Sequence, residues 1–192
     1  MAGLSAINAV TSGLAQYLTR AHQISPIKST SCAFVSVGTS EFKALDGDDT
    51  TVSLFIYRVA PNEHTRNAIG RLDPLRPAMT VNLHLMLTVW ADSAQKEQLV
   101  FAWVMRELAR LALLDRGMLA STANFNAGDL IQISSEDLNL DDVSKLWQML
   151  APPYRLSAGF VARNVRIDYD DDESFAPVVA TRFGLADVPE GA

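Results

Sequence analysis

The chain has 192 residues, 48% of them hydrophobic and 20% charged, with a formal net charge of −6. That length suits one domain with a real core, and the balance excludes both the disordered class and a general nucleic-acid surface. The longest uninterrupted apolar run, Leu99 to Met105, falls far short of the roughly 20 residues a membrane-spanning helix needs, and with Arg20 as the first basic residue no secretion leader is expected.

Leu4, Ile7, Val10, Leu14, Tyr17 and Leu18 repeat at three- and four-residue intervals, which predicts an amphipathic helix from Leu4 to Arg20. Such a stripe most simply packs on its own core. His22 to Thr30, with Pro26, reads as a connection, and the lone Cys32 excludes an internal disulfide and fits a reducing compartment. Phe34 to Val37 is a short strand. The turn formers from Leu45 to Asp49 lead into a second strand, Thr51 to Val59, and the two read as a hairpin. Pro61 stops the second strand. Asn62 to Pro77 shows neither helical nor alternating periodicity, and its arginines Arg66, Arg71 and Arg76, with Arg58 on the strand before, suit carboxylates of another subunit or a solvated basic loop.

Val81, Leu83, Leu85, Leu87 and Val89 alternate with Asn82, His84, Met86, Thr88 and Trp90, the pattern of a central strand. After Ala91-Asp92-Ser93 a helix is expected to about Leu114 on the stripe Val100, Val104, Leu108 and Leu111, with Arg106 and Arg110 in solvent and Gly117 beyond its end. Leu130 to Ser134 is a short edge strand. Val143, Leu146, Trp147 and Leu150 make the stripe of a helix capped by Asp141, and Pro152 and Pro153 end it. A long strand follows, with Val161, Val165, Ile167 and Tyr169 on one face and Ala162, Asn164, Arg166 and Asp168 on the other. Beyond it Asp170-Asp171-Asp172-Glu173 breaks regular structure, and the rest reads as an arm. Its Phe175, Val178, Val179 and Phe183 are too apolar for a tail in free solution, so they pack on a neighbouring subunit or fold back on their own domain.

Catalytic and metal patterns are missing. His22, His64 and His84 have no companion ligand at metal spacing, and none of the GxSxG, GxGxxG or GxxxxGK[ST] motifs occurs. The acidic run at Asp168 to Glu173 lacks the glycine and alternating ligands of a calcium loop. No cofactor, metal or enzymatic activity is therefore expected. The fold class that follows is α+β: a mainly antiparallel sheet of about five strands with helices packed against it. Residues 1–170 form one domain, and 171–192 form a C-terminal arm.

Three stretches go further than composition. They are Leu146-Trp147, Leu150, Pro153-Tyr154-Arg155 and Ser157 leading into Val165-Arg166-Ile167-Asp168; Phe55 to Val59 followed by Asn62 and Arg66-Asn67; and the strand Val81 to Trp90 running into an acidic residue and a helix. In their order and spacing, over roughly two thirds of the chain, they resemble the N-terminal domain of the cap proteins of extracellular contractile injection systems, which look like phage tail terminators. The resemblance implies a structural protein that forms a homohexameric ring, sits on the last ring of the inner-tube protein, ends tube growth and engages the last ring of sheath protein. It implies no nucleic-acid or membrane partner, assembly in the cytoplasm, and a particle that is released or membrane-anchored. Arg58, Asn62, Arg66, Asn67, Tyr154 and Arg155 match its recurring positions, either facing partners or bracing the fold; for Tyr154 and Arg155, fixing the start of the strand is the simpler role. Some relatives carry a further C-terminal domain. A neck or tail-completion protein of a phage-like particle and a monomeric adaptor are the competing readings.

Overall fold

Two long strands rich in β-branched and aromatic residues, β2 (Thr51–Pro61) and β3 (Ala78–Trp90), pair antiparallel from Thr51 opposite Trp90 to Pro61 opposite Val81. The computed structural model describes residues 3–27, 30–45, 49–62, 78–119, 125, 128–150 and 152–168. Around the central pair lie α1 (Ala6–Ile24), β1 (Ala33–Ser36), a 3-10 turn (Phe42–Leu45), α2 (Ala94–Arg110), β4 (Leu113–Leu114), β5 (Ile131–Glu136), α3 (Leu140–Leu150) and β6 (Ser157–Asp168). One six-stranded sheet results, in the order β1-β2-β3-β6-β5-β4. It confirms the α+β class with one strand more than expected.

Alternation along β3 decides the layering. Leu83, Leu85, Leu87 and Val89 face a large core with Val10, Leu14 and Leu18 of α1 and Val100, Val104 and Leu108 of α2. Met86 and Trp90, on the opposite face, join Phe42 of the 3-10 turn and Val143, Trp147 and Leu150 of α3 in a second core. The sheet is therefore covered on both faces.

Four local expectations need correction. First, β1 and β2 are parallel, with Ala33 opposite Thr51 and Ser36 opposite Leu54, and do not form a hairpin. Parallel neighbours need a crossover, and the intervening segment supplies it while burying Phe42 in the second core. Second, α2 ends at Arg110, where the Leu111 N–H is shared between the carbonyls of Glu107 and Leu108. Leu113 and Leu114 then pair with Gln132 and Ile131, so β5 has a partner along its first residues and is not a bare edge. Third, the cap of α3 is Asn139, whose Oδ1 accepts the Asp142 N–H at 2.9 Å. Asp141 lies inside the first turn and pairs with Lys145 at 2.7 Å. Fourth, the alternation of β6 breaks at a bulge, where Arg163 and Asn164 together oppose Asn82 and Asn164 takes a φ of 65°. Phe160, Ala162 and Val165 consequently share the large core, and Val161, paired with His84, faces the other way. Tyr169 lies outside the described residues.

Candidate assembly surface

β1 stops opposite Leu54, so from Phe55 to Pro61 the outer edge of β2 has no strand partner among the described residues. A bulge at Tyr57, between Ile56 and Arg58, twists this free half. The extra residue turns its side chain onto the second face of the sheet, where the Tyr57 hydroxyl donates to Glu136 Oε2 at 2.8 Å. Nδ1 of His84 lies 2.8 and 2.9 Å from the two oxygens of the same carboxylate. Burial, and then the hydrogen bond to Glu136, push the Tyr57 hydroxyl above the usual phenol range. One carboxylate thus ties β2, β3 and β5 together. With Arg58, Asp142, Lys145 and Met149, Tyr57 and Glu136 line a cleft of about 320 Å³ between the sheet and α3.

Asn62 is buried and hydrogen-bonded within the fold. It is 8% exposed. Its backbone N–H donates to the Thr80 carbonyl at 2.8 Å, and its Nδ2 donates to Asn164 Oδ1 at 2.7 Å and to Asn82 Oδ1 at 3.4 Å. Three asparagines from β3, β6 and the end of β2 therefore hold the β6 bulge in place. Asn62→Ala removes the bonds to Asn164 Oδ1 and Asn82 Oδ1, the latter still accepting the Asn164 N–H, and a loss of about 0.5–1.5 kcal/mol is expected from the shift in the urea unfolding midpoint.

Tyr154 and Arg155 sit at the other end of the sheet. The Arg155 guanidinium lies over the Trp90 ring, 5.6 Å from its centroid, and the Trp90 Nε1–H donates to Ser53 Oγ at 2.9 Å. Tyr154 meets Trp147 edge-on at 5.9 Å yet stays 58% exposed. Next to them the Leu156 N–H donates to Glu97 Oε1 at 3.1 Å, which fixes where β6 begins. Arg155 thus packs on the Trp90 ring, whereas Tyr154 offers an aromatic face to solvent. Arg66, Asn67, Arg71, Arg76, Phe175, Val178 and Phe183 lie outside the described residues.

Reading the sequence missed Glu136, whose only signal is an acidic residue ending a strand two columns from a histidine on the polar face of β3. It also missed Glu107, a buried carboxylate on α2 that Arg106 and Arg110 clamp at 3.1 Å each from a largely exposed position. Burial pushes the Cys32 thiol up to about 12, which disfavours the reactive thiolate. Among the described residues no group of three His, Cys, Asp or Glu side chains is placed to hold a metal, and no helix is long and apolar enough to cross a membrane. What the arrangement offers is binding: an open strand edge, shallow clefts and an exposed aromatic ring.

Comparison with known proteins agrees with this architecture. Two solved structures share the fold. The sheath/tube terminator of an extracellular contractile injection system, PVC, in the extended state is 19% identical with a TM-score of 0.58, over 98% of this chain and 65% of that one. The tube-terminating cap of the anti-feeding prophage, AFP, is 19% identical with a TM-score of 0.55, over 93% of this chain and 59% of that one. The chain thus spans under two thirds of the length of both. No curated protein matches it in sequence. The family described as the Pvc16 N-terminal domain, by contrast, matches residues 8–181, from the first turns of α1 through β6 and beyond, and the chain belongs to that family.

Proposed function

We propose that this protein is the structural cap, or tail terminator, of a contractile injection particle. The observation that carries the reading is the family match over residues 8–181, joined to a fold shared with two proteins described as a sheath/tube terminator and a tube-terminating cap. In this reading the chain forms a homohexameric ring on the last ring of the inner tube, stops its growth and holds the last ring of sheath. Its role is structural and not catalytic. Residues 1–170 form the ring domain and 171–192 an arm reaching to a neighbour, while the arginines Arg58, Arg66, Arg71 and Arg76 meet carboxylates of tube, sheath or the next subunit. Nucleic acid and lipid are not among its partners. Assembly takes place in the cytoplasm.

Negative-stain electron microscopy of particles from cells lacking the protein tests this. Overlong or irregular tubes with missing or prematurely lost sheath are expected. Normal particles of uniform length overturn the cap reading.

A further inference from the structure

Among the described residues no strand pairs with the outer edge of the free half of β2. β1 ends at Ser36, opposite Leu54, and the chain then turns away after the Val37 N–H donates to the Leu54 carbonyl at 3.0 Å. Between α1 and the end of β1 lies a groove of about 790 Å³ that reaches the free half of β2 at Ile56 and whose apolar lining includes Leu4, Ile7, Val35, Val37 and Ile56. Leu4 is 98% exposed there. An extended segment entering this groove would continue the sheet through backbone hydrogen bonds to β2 and lay alternate side chains on the N-terminal half of α1.

We propose that the occupant is the segment Phe175 to Phe183 of a second copy of this chain, an inference that rests on the ring reading. Three observations favour it. The chain leaves the described fold at Asp168, opposite Ala78, at the same end of the sheet as Pro61, where the free half of β2 terminates. The seven residues from Asp168 to Phe175 reach about 23 Å when extended, beyond the roughly 14 Å across three strand positions, so the segment is long enough to reach such a groove in its own or a neighbouring subunit, and the ring reading selects the neighbour. The pattern of the segment fits an outermost strand. A strand placed in that groove with Phe175, Val179 and Phe183 on the face towards α1 has the Val178 N–H available to β2. In that register Pro177, which has no N–H, falls at a position whose donor would face away from β2, as an outermost strand tolerates. Arm and groove are different patches of one subunit, as a closing head-to-tail ring requires.

The test uses the full chain with p-benzoyl-phenylalanine in place of Phe183, prepared as a mixture of isotopically light and heavy copies and irradiated after light scattering has established its mass. A ring whose crosslinked peptides join light to heavy, with the attachment between residues 4–16 or 35–41, is expected. Val178→Pro, which removes the donor facing β2, should reduce that crosslink at least tenfold without changing the unfolding midpoint. A ring whose crosslinks land elsewhere, or only within single copies, overturns the groove assignment and leaves the cap reading standing. A chain that scatters as a monomer at every concentration overturns the ring and this inference together.

Discussion

Trp147→Ala is expected to destabilise the domain by about 3–5 kcal/mol, a large share of the ~5–15 kcal/mol that holds a domain of this kind folded. The Trp147 ring is buried between Phe42 and Trp90, at centroid distances of 6.3 and 6.1 Å, with Tyr154 on its outer side. It is the main anchor of α3 on the second face of the sheet, and its removal opens a cavity that a short helix cannot close. The Trp147 Nε1 is itself buried with no hydrogen-bond partner among the described residues. Trp147→Phe should therefore cost much less, because relief of an unsatisfied donor offsets part of the lost packing. Trp90→Phe removes the bond to Ser53 and puts a smaller ring under Arg155, so it should be the worse of the two phenylalanine variants. Chemical denaturation of the three proteins checks the order. Equal losses for the two phenylalanine variants would remove the distinction drawn between the indoles.

Gly159→Ala comes next. A Cβ at this position would lie 2.7 Å from Leu138 Cγ and 2.8 Å from the Glu136 carbonyl oxygen. The leucine can rotate away, but the carbonyl belongs to the strand paired with Gly159. The expected cost is about 1–3 kcal/mol, with more for valine. Since the strain falls on Glu136, the variant should also loosen the Tyr57 and His84 contacts. Gly128→Ala is the matched control, because a Cβ there meets nothing within 4 Å. A thermal scan in which both variants melt with wild type would show that β5 is free to move away from β6.

Most of the elements were legible because each is written locally. The alternation of Val81 to Val89 specifies a central strand whatever surrounds it, and the stripe Val143, Trp147, Leu150 followed by two prolines specifies a short helix that must stop. Even the two roles of β3's faces could be anticipated in part, since Met86 and Trp90 interrupt its polar side. The residues of the candidate surface were legible only as a set, through the resemblance. Their individual roles were not, because Asn62 and Arg155 act on partners far from them in sequence: Asn164 is 102 positions away, and Trp90 lies on a different strand.

The sequence by itself determined the class, the helices, the long strands and the family, since hydrophobic period, proline stops and the Phe55 to Val59, Val81 to Trp90 and Pro153 to Asp168 motifs are properties of short windows. Only the tertiary structure decided that β1 lies parallel to β2, that Glu136 joins three strands, that a bulge at Asn164 reverses the faces of β6, and that half of β2 has no strand partner among the described residues. Strand direction, register and edge exposure depend on where the chain returns after a connection. That return is set by the burial of residues such as Phe42 and by backbone hydrogen bonding between distant segments, neither of which leaves a period in the sequence.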